Sequence, residues 1–343
     1  MKYENNVLDT KYKNKTQYIN NPQIIHQIEM RPNMIDILEQ EIVDMSEKLF
    51  NVLLKDRTTK RNICWCTDHY ISNGVSYYPQ EPITQNLVTK SNTRIIQPRV
   101  AKDIDEQLRR TKEKAEVFTP SWICNKQNNI VDEAWFGRNN IFNVLSDNSW
   151  ISVKEKIEFP IGKSWESYVD AKRLEITCGE APYLVSRYDT VSGKEIPIDE
   201  RIGLLDRKIR IVNENTETEE EWYKWIIRAY ESTYGYEYQG DNILIARENL
   251  LYTFIENMKY RFAHTPNNEQ LTRIARIISW NIWQMDGLTM TAPFSERLPV
   301  IRQSFIFNEK LEEEKEPIPC RIYDWRSNIS LEFRSLLKWR QSL

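Results

Sequence analysis

The sequence predicts an α/β fold with an open sheet, behind an α+β N-terminal region. The first observation is the stretch from Arg173 to Leu184, which reads as a short apolar strand, a tight turn of small residues and the start of a helix. The second is the helical spacing of apolar residues on both sides of this stretch, in residues 34–54, 219–234, 246–262 and 271–283. We therefore expect helices packed against a sheet, with a ligand site outside the carboxyl end of a strand.

The length of 343 residues is sufficient for two domains and a sizeable core. We predict an N-terminal region over residues 1–110, with helices and a small strand element. A ligand-binding domain is predicted over residues 111–290, and a C-terminal extension over residues 291–343.

Composition excludes several classes of protein. The 47 Lys and Arg residues are outnumbered by 50 Asp and Glu residues, so the net charge is −3 and any nucleic-acid surface must be local. No apolar run approaches the ~18 residues of a membrane span, and residues 1–6 are not followed by the apolar core of a signal peptide. The five cysteines are odd in number and scattered, which is typical of a reducing compartment. We expect a cytoplasmic protein without a membrane segment.

No metal site is predicted. Residues 64–66, Cys-Trp-Cys, form a C-x-C pair, and structural zinc sites usually bring a second closely spaced ligand pair. A zinc site completed by Cys124 or Cys320 is the less favoured alternative. Because the chain has three histidines in total, histidine-centred catalysis is also disfavoured.

In the N-terminal region, residues 34–54 predict an amphipathic helix and residues 62–66 a strand. Residues 103–114 predict a strongly charged helix, which carries four cations near its end: Arg109, Arg110, Lys112 and Lys114. One interpretation is a solvated helix face with cations favourably placed at the C-terminus. The other is a patch that contacts nucleic-acid phosphates.

The next predicted helix begins at a Thr-Pro pair. Thr119 suits the N-cap and Pro120 the first helical position, and the helix pattern continues from Trp122 to Asp132.

The stretch from Arg173 to Leu184 predicts a ligand site. Glu175 lies near the end of the strand, and Cys178 and Gly179 lie in the turn, where small residues let a ligand approach the backbone. The position favours a nucleotide-like ligand. The three glycines of a dinucleotide fingerprint are absent, so NAD is disfavoured.

Two further acidic positions suit a nucleoside. Residues 202–208 read as a short strand ending at Asp206, whose carboxylate can accept hydrogen bonds from both ribose hydroxyls. The alternative is an aspartate at a helix N-terminus. Asp241 and Asn242 offer acceptors to an exocyclic amine, although a Gly-Asp-Asn sequence also favours an ordinary turn.

These segments resemble motifs X, I, II and III of the adenine-specific N6 DNA methyltransferases of restriction–modification systems, in that order. The resemblance covers residues 116–246. The order of the motifs is similar to that in the enzymes often named restriction endonuclease subunit M. It implies a partial Rossmann-like methyltransferase sheet and S-adenosylmethionine as cofactor. It also implies nine cofactor-binding residues: Phe118, Thr119, Pro120, Glu175, Cys178, Gly179, Asp206, Asp241 and Asn242.

The family's catalytic Asn-Pro-Pro-Tyr run does not occur in the sequence. The nearest candidate, Ser279–Asp286, lies in an apolar helix pattern, and we expect it to pack in the core. The resemblance therefore implies the cofactor-binding part of a DNA adenine-N6 methyltransferase whose catalytic residues are unknown. DNA and a second chain, which supplies the catalytic strand and target recognition, are the implied partners. The rival is a non-catalytic DNA-binding or assembly subunit of a restriction or defence complex. Glu180 favours this rival, because its side chain could crowd a carboxylate ligand in the cofactor site.

Overall fold

The computed structural model describes residues 35–114, 116, 119–297 and 316–338. Phe118 and the side chain of Lys114 lie outside the described part. The α-helices are α1 (Glu39–Met45), α2 (Glu47–Leu53), α3 (Gln85–Val88), α4 (Ile104–Lys114), α5 (Ser121–Phe136), α6 (Trp165–Asp170), α7 (Leu204–Asn215), α8 (Glu219–Glu231), α9 (Gly240–Phe262), α10 (Asn268–Asn281) and α11 (Ser335–Lys338). The strands are β1 (Asn143–Ser146), β2 (Ser149–Ser152), β3 (Arg173–Glu175), β4 (Thr233–Glu237), β5 (Ile282–Gln284), β6 (Arg321–Asp324) and β7 (Ile329–Glu332). Short 3-10 helices span Ile71–Asn73, Val75–Tyr77, Lys90–Asn92, Arg99–Ala101, Ile198–Glu200 and Ser295–Arg297.

A parallel sheet of three strands, in the order β3-β4-β5, lies at the centre of the fold. Glu237, the last residue of β4, pairs with Gln284, the last residue of β5, so these two strands end together. Glu175, the last residue of β3, pairs with Gly235, so β4 extends two residues beyond the end of β3. Parallel strands need crossover connections, which α7 and α8 provide between β3 and β4, and α9 and α10 provide between β4 and β5. The predicted α/β class is confirmed. The described residues belong to one compact unit, and the domain boundaries near 110 and 290 stay predictions.

Helix α9 occupies the middle of the core. It is buried along almost its whole length and packs against β4, β5, α7 and α10. Arg247 of α9 is fully buried and donates to the carbonyls of Ile282, Leu53 and Lys55, which joins the end of α2 to β5. Burial lowers the pKa of Arg247 to about 9. A cation held by carbonyl oxygens thus connects the N-terminal helices to the sheet.

The helix predicted after the turn at Cys178–Gly179 is interrupted. One turn forms, and then the carbonyls of Tyr183 and Leu184 accept the amides of Leu204 and Leu205 at the start of α7. Residues 185–203 therefore form an excursion between two hydrogen-bonded pieces of a single helical run. The helix predicted to start in this stretch therefore stops after one turn, because the carbonyls that it would use next are occupied by α7.

Asp206 lies in the first turn of α7, so the prediction of a strand over residues 202–208 is also wrong. Its Oδ2 accepts from the amides of Ser186 and Gly203 and from the Ser186 hydroxyl. Asp206 therefore caps the helix and holds together the two ends of the excursion. The alternative of a helix N-terminal aspartate describes it correctly.

The two cations after Asp206 are structural. Arg207 forms an ion pair with Asp132 of α5. Lys208 is buried and donates to the carbonyls of Ala171 and Ser232, which precede β3 and β4. Burial lowers the pKa of Lys208 well below its ordinary value. These side chains position the sheet's amino end against α5 and α7.

Other boundaries differ from the predictions in smaller ways. The predicted helix over residues 34–54 is two helices, because Ser46 caps the second one. Residues 62–66 form isolated bridges and no regular strand. Pro120 is itself the N-cap of α5, so Thr119 precedes the cap. Within Ser279–Asp286, which is largely buried as expected, residues 282–284 are strand β5.

The hairpin β6-β7 covers part of one face of the sheet. Its residues Ile322 and Phe333 form a second apolar cluster with Trp283 of β5 and Tyr234 of β4.

Gly203 provides a test of the interrupted helix. A Cβ atom at Gly203 would lie 2.3 Å from the Leu184 carbonyl oxygen and 2.7 Å from Asp206 Oδ2. We expect Gly203→Ala to lower the free energy of unfolding by about 1–3 kcal/mol, as overpacking does. The matched control is Gly287→Ala, where the nearest atom is in the Tyr236 ring at 3.3 Å. Urea denaturation measures both, and equal stability of the two variants would contradict the close contact.

Candidate functional site

A cavity of about 440 Å³ opens at the carboxyl ends of β3 and β4. This is the location that an open parallel sheet offers to ligands. Its walls come from the turn after β3, the turn after β4, the start of α9 and the N-terminal region. The lining residues are Cys66, Glu116, Thr119, Glu175, Thr177, Cys178, Gly179, Pro182, Tyr183, Glu237, Tyr238, Gln239 and Asn242.

The turn after β3 adopts an unusual backbone conformation. Thr177, Gly179 and Ala181 have φ angles of 46°, 52° and 65°, in the left-handed region that costs non-glycine residues about 1–2 kcal/mol. Hydrogen bonds hold the turn in place, from the Cys178 amide to the Tyr236 carbonyl (2.8 Å) and from the Gly179 amide to Glu237 (3.0 Å). The result is a fixed stretch of backbone along one wall of the cavity.

Glu237 is a site residue that the sequence analysis missed. It ends β4, and its carboxylate accepts from the amides of Gly179, Tyr238 and Gln239 at 3.0, 2.8 and 3.2 Å. Burial raises the pKa of Glu237 above its ordinary value. The available signal was the pair of β-favouring residues Tyr234 and Tyr236 just before Glu237. This signal was weak, because a single residue separates the end of helix α8 from the start of β4.

Glu175 faces the same cavity from the end of β3. Its Oε1 accepts from the Tyr183 amide at 3.3 Å. Burial, with a further contribution from the nearby Glu237, raises the pKa of Glu175 well above its ordinary value. A donor or a cation bound beside the side chain would lower this pKa again.

Three buried oxygen atoms around the cavity have no hydrogen-bond partner among the described residues. They are Glu116 Oε1, Glu175 Oε2 and Asn242 Oδ1. Buried polar atoms in folded proteins are almost always paired, so such a cluster indicates a place where a polar ligand or water binds. All three atoms can accept hydrogen bonds, which favours a ligand rich in donors.

The cavity is acidic. Glu116, Glu175 and Glu237 line it, and the described lining includes no Lys, Arg or His. The fully buried guanidinium of Arg110 is paired with Glu116 through Oε2, which leaves Oε1 without a partner among the described residues. A cationic ligand with several donor groups complements these walls, whereas a phosphate would be repelled.

Asp241 does not line the cavity, although its neighbour Asn242 does. Asp241 Oδ2 accepts from Arg110 at 2.7 Å and from the Tyr70 hydroxyl at 2.8 Å. Burial acts to raise the pKa of Asp241, but Arg110 and Lys102 outweigh it and hold that pKa well below the ordinary value. The predicted contact between Asp241 and an exocyclic amine is therefore corrected: this carboxylate is already satisfied inside the protein.

The predicted phosphate-contacting patch is also smaller than expected. Arg110 is fully buried, because it pairs with Asp241 and Glu116, and it cannot contact a phosphate at the surface. Arg109 and Lys112 are exposed. The side chain of Lys114 lies outside the described residues.

Asp206, Pro120 and Glu180 are not at the cavity. Asp206 caps α7, and Pro120 is not among the lining residues. Glu180 is turned into the core, where it accepts from the Tyr188 hydroxyl and the Arg99 amide, both at 2.6 Å. The crowding that was expected from Glu180 is therefore absent. The cavity brings together Thr119, Glu175, Cys178, Gly179 and Asn242 of the predicted set.

Cys64 and Cys66 lie with their sulfur atoms 3.0 Å apart. Cys66 lines the cavity. Within the described ranges, no group of three or more His, Cys, Asp or Glu side chains is arranged to hold a metal ion. The alternative of a zinc site completed by Cys124 or Cys320 thus receives no support from these residues.

In comparisons with known proteins, no protein-family model, curated protein or solved structure matches the chain. None of the described helices combines the length and apolarity required to cross a membrane. Arguments about function therefore depend on the chain's own residues.

The Arg110–Asp241 pair can be tested by stability. Arg110→Met leaves a carboxylate buried without its cation, and we expect a loss of about 3–5 kcal/mol at pH 7. The pKa of Asp241 is depressed in the folded protein, so its stabilisation is present above about pH 4 and is lost as the pH falls. The difference between wild type and variant should therefore narrow in urea titrations at lower pH.

The matched control is Arg109→Met, which removes an exposed cation next in sequence. It should change stability by less than about 0.5 kcal/mol. An Arg110→Met variant as stable as this control would contradict the buried pair.

Proposed function

We propose that the cavity binds S-adenosylmethionine and that the chain is the cofactor-binding part of a DNA adenine-N6 methyltransferase of a restriction–modification system. The observation that supports this most is the meeting of Glu175, the Cys178–Gly179 turn and Glu237 around one cavity at the ends of neighbouring parallel strands. The sequence resemblance supplies the identity of the ligand.

The donor and acceptor chemistry of the cavity suits this cofactor. Its sulfonium and ammonium groups are cationic, and its ribose hydroxyls and adenine amine are donors. Glu237 would accept from the ribose hydroxyls, a role that the sequence analysis gave to Asp206. Asn242 Oδ1 would accept from the adenine amine, which moves that role from Asp241 to its neighbour. The volume of about 440 Å³ lies within the range of ~300–1,000 Å³ for small-molecule sites.

The acidic walls suggest how the methionine end is held. Glu175 Oε2 and Glu116 Oε1 are buried without partners in the described part, so an ammonium group placed between them would gain hydrogen bonds and charge complementarity. Binding a cation there would lower the pKa of Glu175 and favour its charged form. The bound cofactor supplies an electrophilic methyl group, while these residues bind and orient it.

We propose that a second chain completes the enzyme at the free edge of β3. Among the described residues, β3 pairs with β4 alone, and its other edge has no strand partner. Leu174 and Ile176 are 44% and 63% exposed on the face beside that edge. An exposed edge with apolar side chains can accept a further strand by backbone pairing. The added strand would lie next to the cavity, where it could carry the catalytic group and the target-recognition part for DNA.

The second candidate is a non-catalytic DNA-binding or assembly subunit. The lack of an Asn-Pro-Pro-Tyr run in the sequence favours it, because in the family that the chain resembles this run holds the target adenine. The two candidates differ in whether the cavity binds the cofactor.

Calorimetry of the purified chain tests cofactor binding. We expect a Kd of about 1 μM or weaker, which corresponds to roughly −8 kcal/mol. Glu237→Gln keeps the shape of the side chain but removes its charge and one acceptor, and it should weaken binding by about 1–3 kcal/mol. The control Glu200→Gln changes an exposed carboxylate away from the cavity and should leave Kd unchanged. If millimolar cofactor gives no binding heat and no thermal shift, the assignment is rejected and the second candidate is favoured.

Catalysis by the isolated chain is expected to be absent. Methyl transfer requires the adenine amine to be aligned with the sulfonium, and a misplaced acceptor loses most of the rate. We predict no tritium transfer from labelled cofactor to mixed-sequence DNA, with an active adenine methyltransferase as positive control. Robust transfer by the chain alone would contradict the need for a second chain.

A further inference from the structure

A second groove, of about 650 Å³, lies between α10, the start of α2 and the turn of the β6-β7 hairpin. Lys48, Arg273, Arg276, Tyr323 and Trp325 are among its walls. It shares no lining residue with the acidic cavity. Its lining includes three cationic side chains, whereas the described lining of the acidic cavity includes none.

Cations are concentrated along this groove. Arg273 and Arg276 lie on the exposed side of α10, and Lys48 is exposed at the start of α2. No described carboxylate lies within ion-pair distance of Arg273 or Arg276. Two acids also line the groove, Glu231 and Glu269. Glu231 is already paired with Arg228 at 3.1 Å, so cations predominate.

Arg57 extends the positive surface at one end. Its guanidinium donates to the Ser279 hydroxyl and lies 5.9 Å from the centre of the Trp280 ring. Burial and the charge of Arg276 lower the pKa of Arg57, and the smaller opposing effect of Asp56 does not cancel them.

Three partly exposed rings form a row beside these cations. The ring centres of Trp280 and Tyr323 are 5.2 Å apart, and those of Tyr323 and Trp325 are 4.6 Å apart. Hydrogen bonds fix the last two rings, from Trp325 Nε1 to Asn281 at 2.8 Å and from the Tyr323 hydroxyl to Asn328 at 2.6 Å. The aromatic surface is therefore pre-organised.

We propose that this groove binds single-stranded nucleic acid. A row of rings next to a line of arginines matches a strand whose bases are unstacked and whose phosphates run alongside. A double helix keeps its bases stacked inside and would leave the rings unused. An acidic peptide would engage the arginines but has no planar groups for three rings. The inference is independent of the proposed cofactor function.

The test is fluorescence anisotropy of the full chain with labelled oligo-dU and oligo-U of 12 nucleotides, which differ in the sugar alone, and with a duplex of equal length. We expect at least one single strand to bind more tightly than the duplex and to quench tryptophan fluorescence. The tighter of the two single strands identifies the sugar. Arg273→Ala with Arg276→Ala should weaken binding at least tenfold and reduce the salt slope by about 1.4, since each contact to a single strand contributes about 0.7.

Tyr323→Ala should weaken binding at least fivefold, whereas Tyr323→Phe keeps the ring and should retain most of the affinity. The charge-matched control is Arg109→Ala with Lys112→Ala, which removes two exposed cations on α4 and should leave both affinity and slope unchanged. Thermal melts establish that each variant is folded. The proposal is overturned if neither single strand binds at 20 mM salt, if the duplex binds as tightly, or if the α4 variant loses affinity and the α10 variant does not.

Discussion

The close approach of residues 64–66 to the carboxyl end of the sheet is the constraint on which the fold and its cavity depend. A Cβ atom at Gly240 would lie 2.0 Å from the Cys64 carbonyl oxygen, so only glycine fits there. The Gly240 amide donates to the Trp65 carbonyl, and Gln284 both accepts from the Cys64 amide and donates to its carbonyl. The N-terminal region is thereby attached to the ends of both β4 and β5, and Cys66 becomes a wall of the cavity.

This attachment separates two groups of acids with opposite electrostatic surroundings. Asp241 lies beside Arg110 and the Tyr70 hydroxyl, so its pKa falls. Glu175 and Glu237 lie at the strand ends with backbone amides alone as donors, so burial raises their pKa values. The buried cations Arg110 and Lys102 lie within ion-pair distance of Asp241. The described lining of the cavity therefore keeps acceptors without matching donors, which is the property on which the proposed binding of a donor-rich cationic ligand rests.

The sequence predicted the helices well and the strands poorly, for a local reason. The apolar spacing of residues 219–234 and 271–283 is helical, and α8 and α10 were found there. One residue separates the first of these helices from β4, and none separates the second from β5. Neither boundary contains a glycine or a proline. A run of three to five buried residues cannot be distinguished from the last turn of a helix by its period. The interrupted helix at Tyr183–Leu204 could not be predicted from the sequence either, because its hydrogen bonds join residues that the excursion of residues 185–203 separates in the chain.

The same distinction between local and distant information explains the site. Glu175, Cys178 and Gly179 belong to one strand–turn segment, so their neighbourhood could be read from the sequence. The burial of Asp241 could not, because its partner Arg110 is 131 residues away in the chain. Glu237 follows from topology rather than from any motif. Because β3 and β4 are parallel neighbours and β4 extends two residues beyond the end of β3, the side chain that ends β4 lies beside the turn after β3. A carboxylate there is placed by strand order alone, and locating β4 would have been sufficient to predict it.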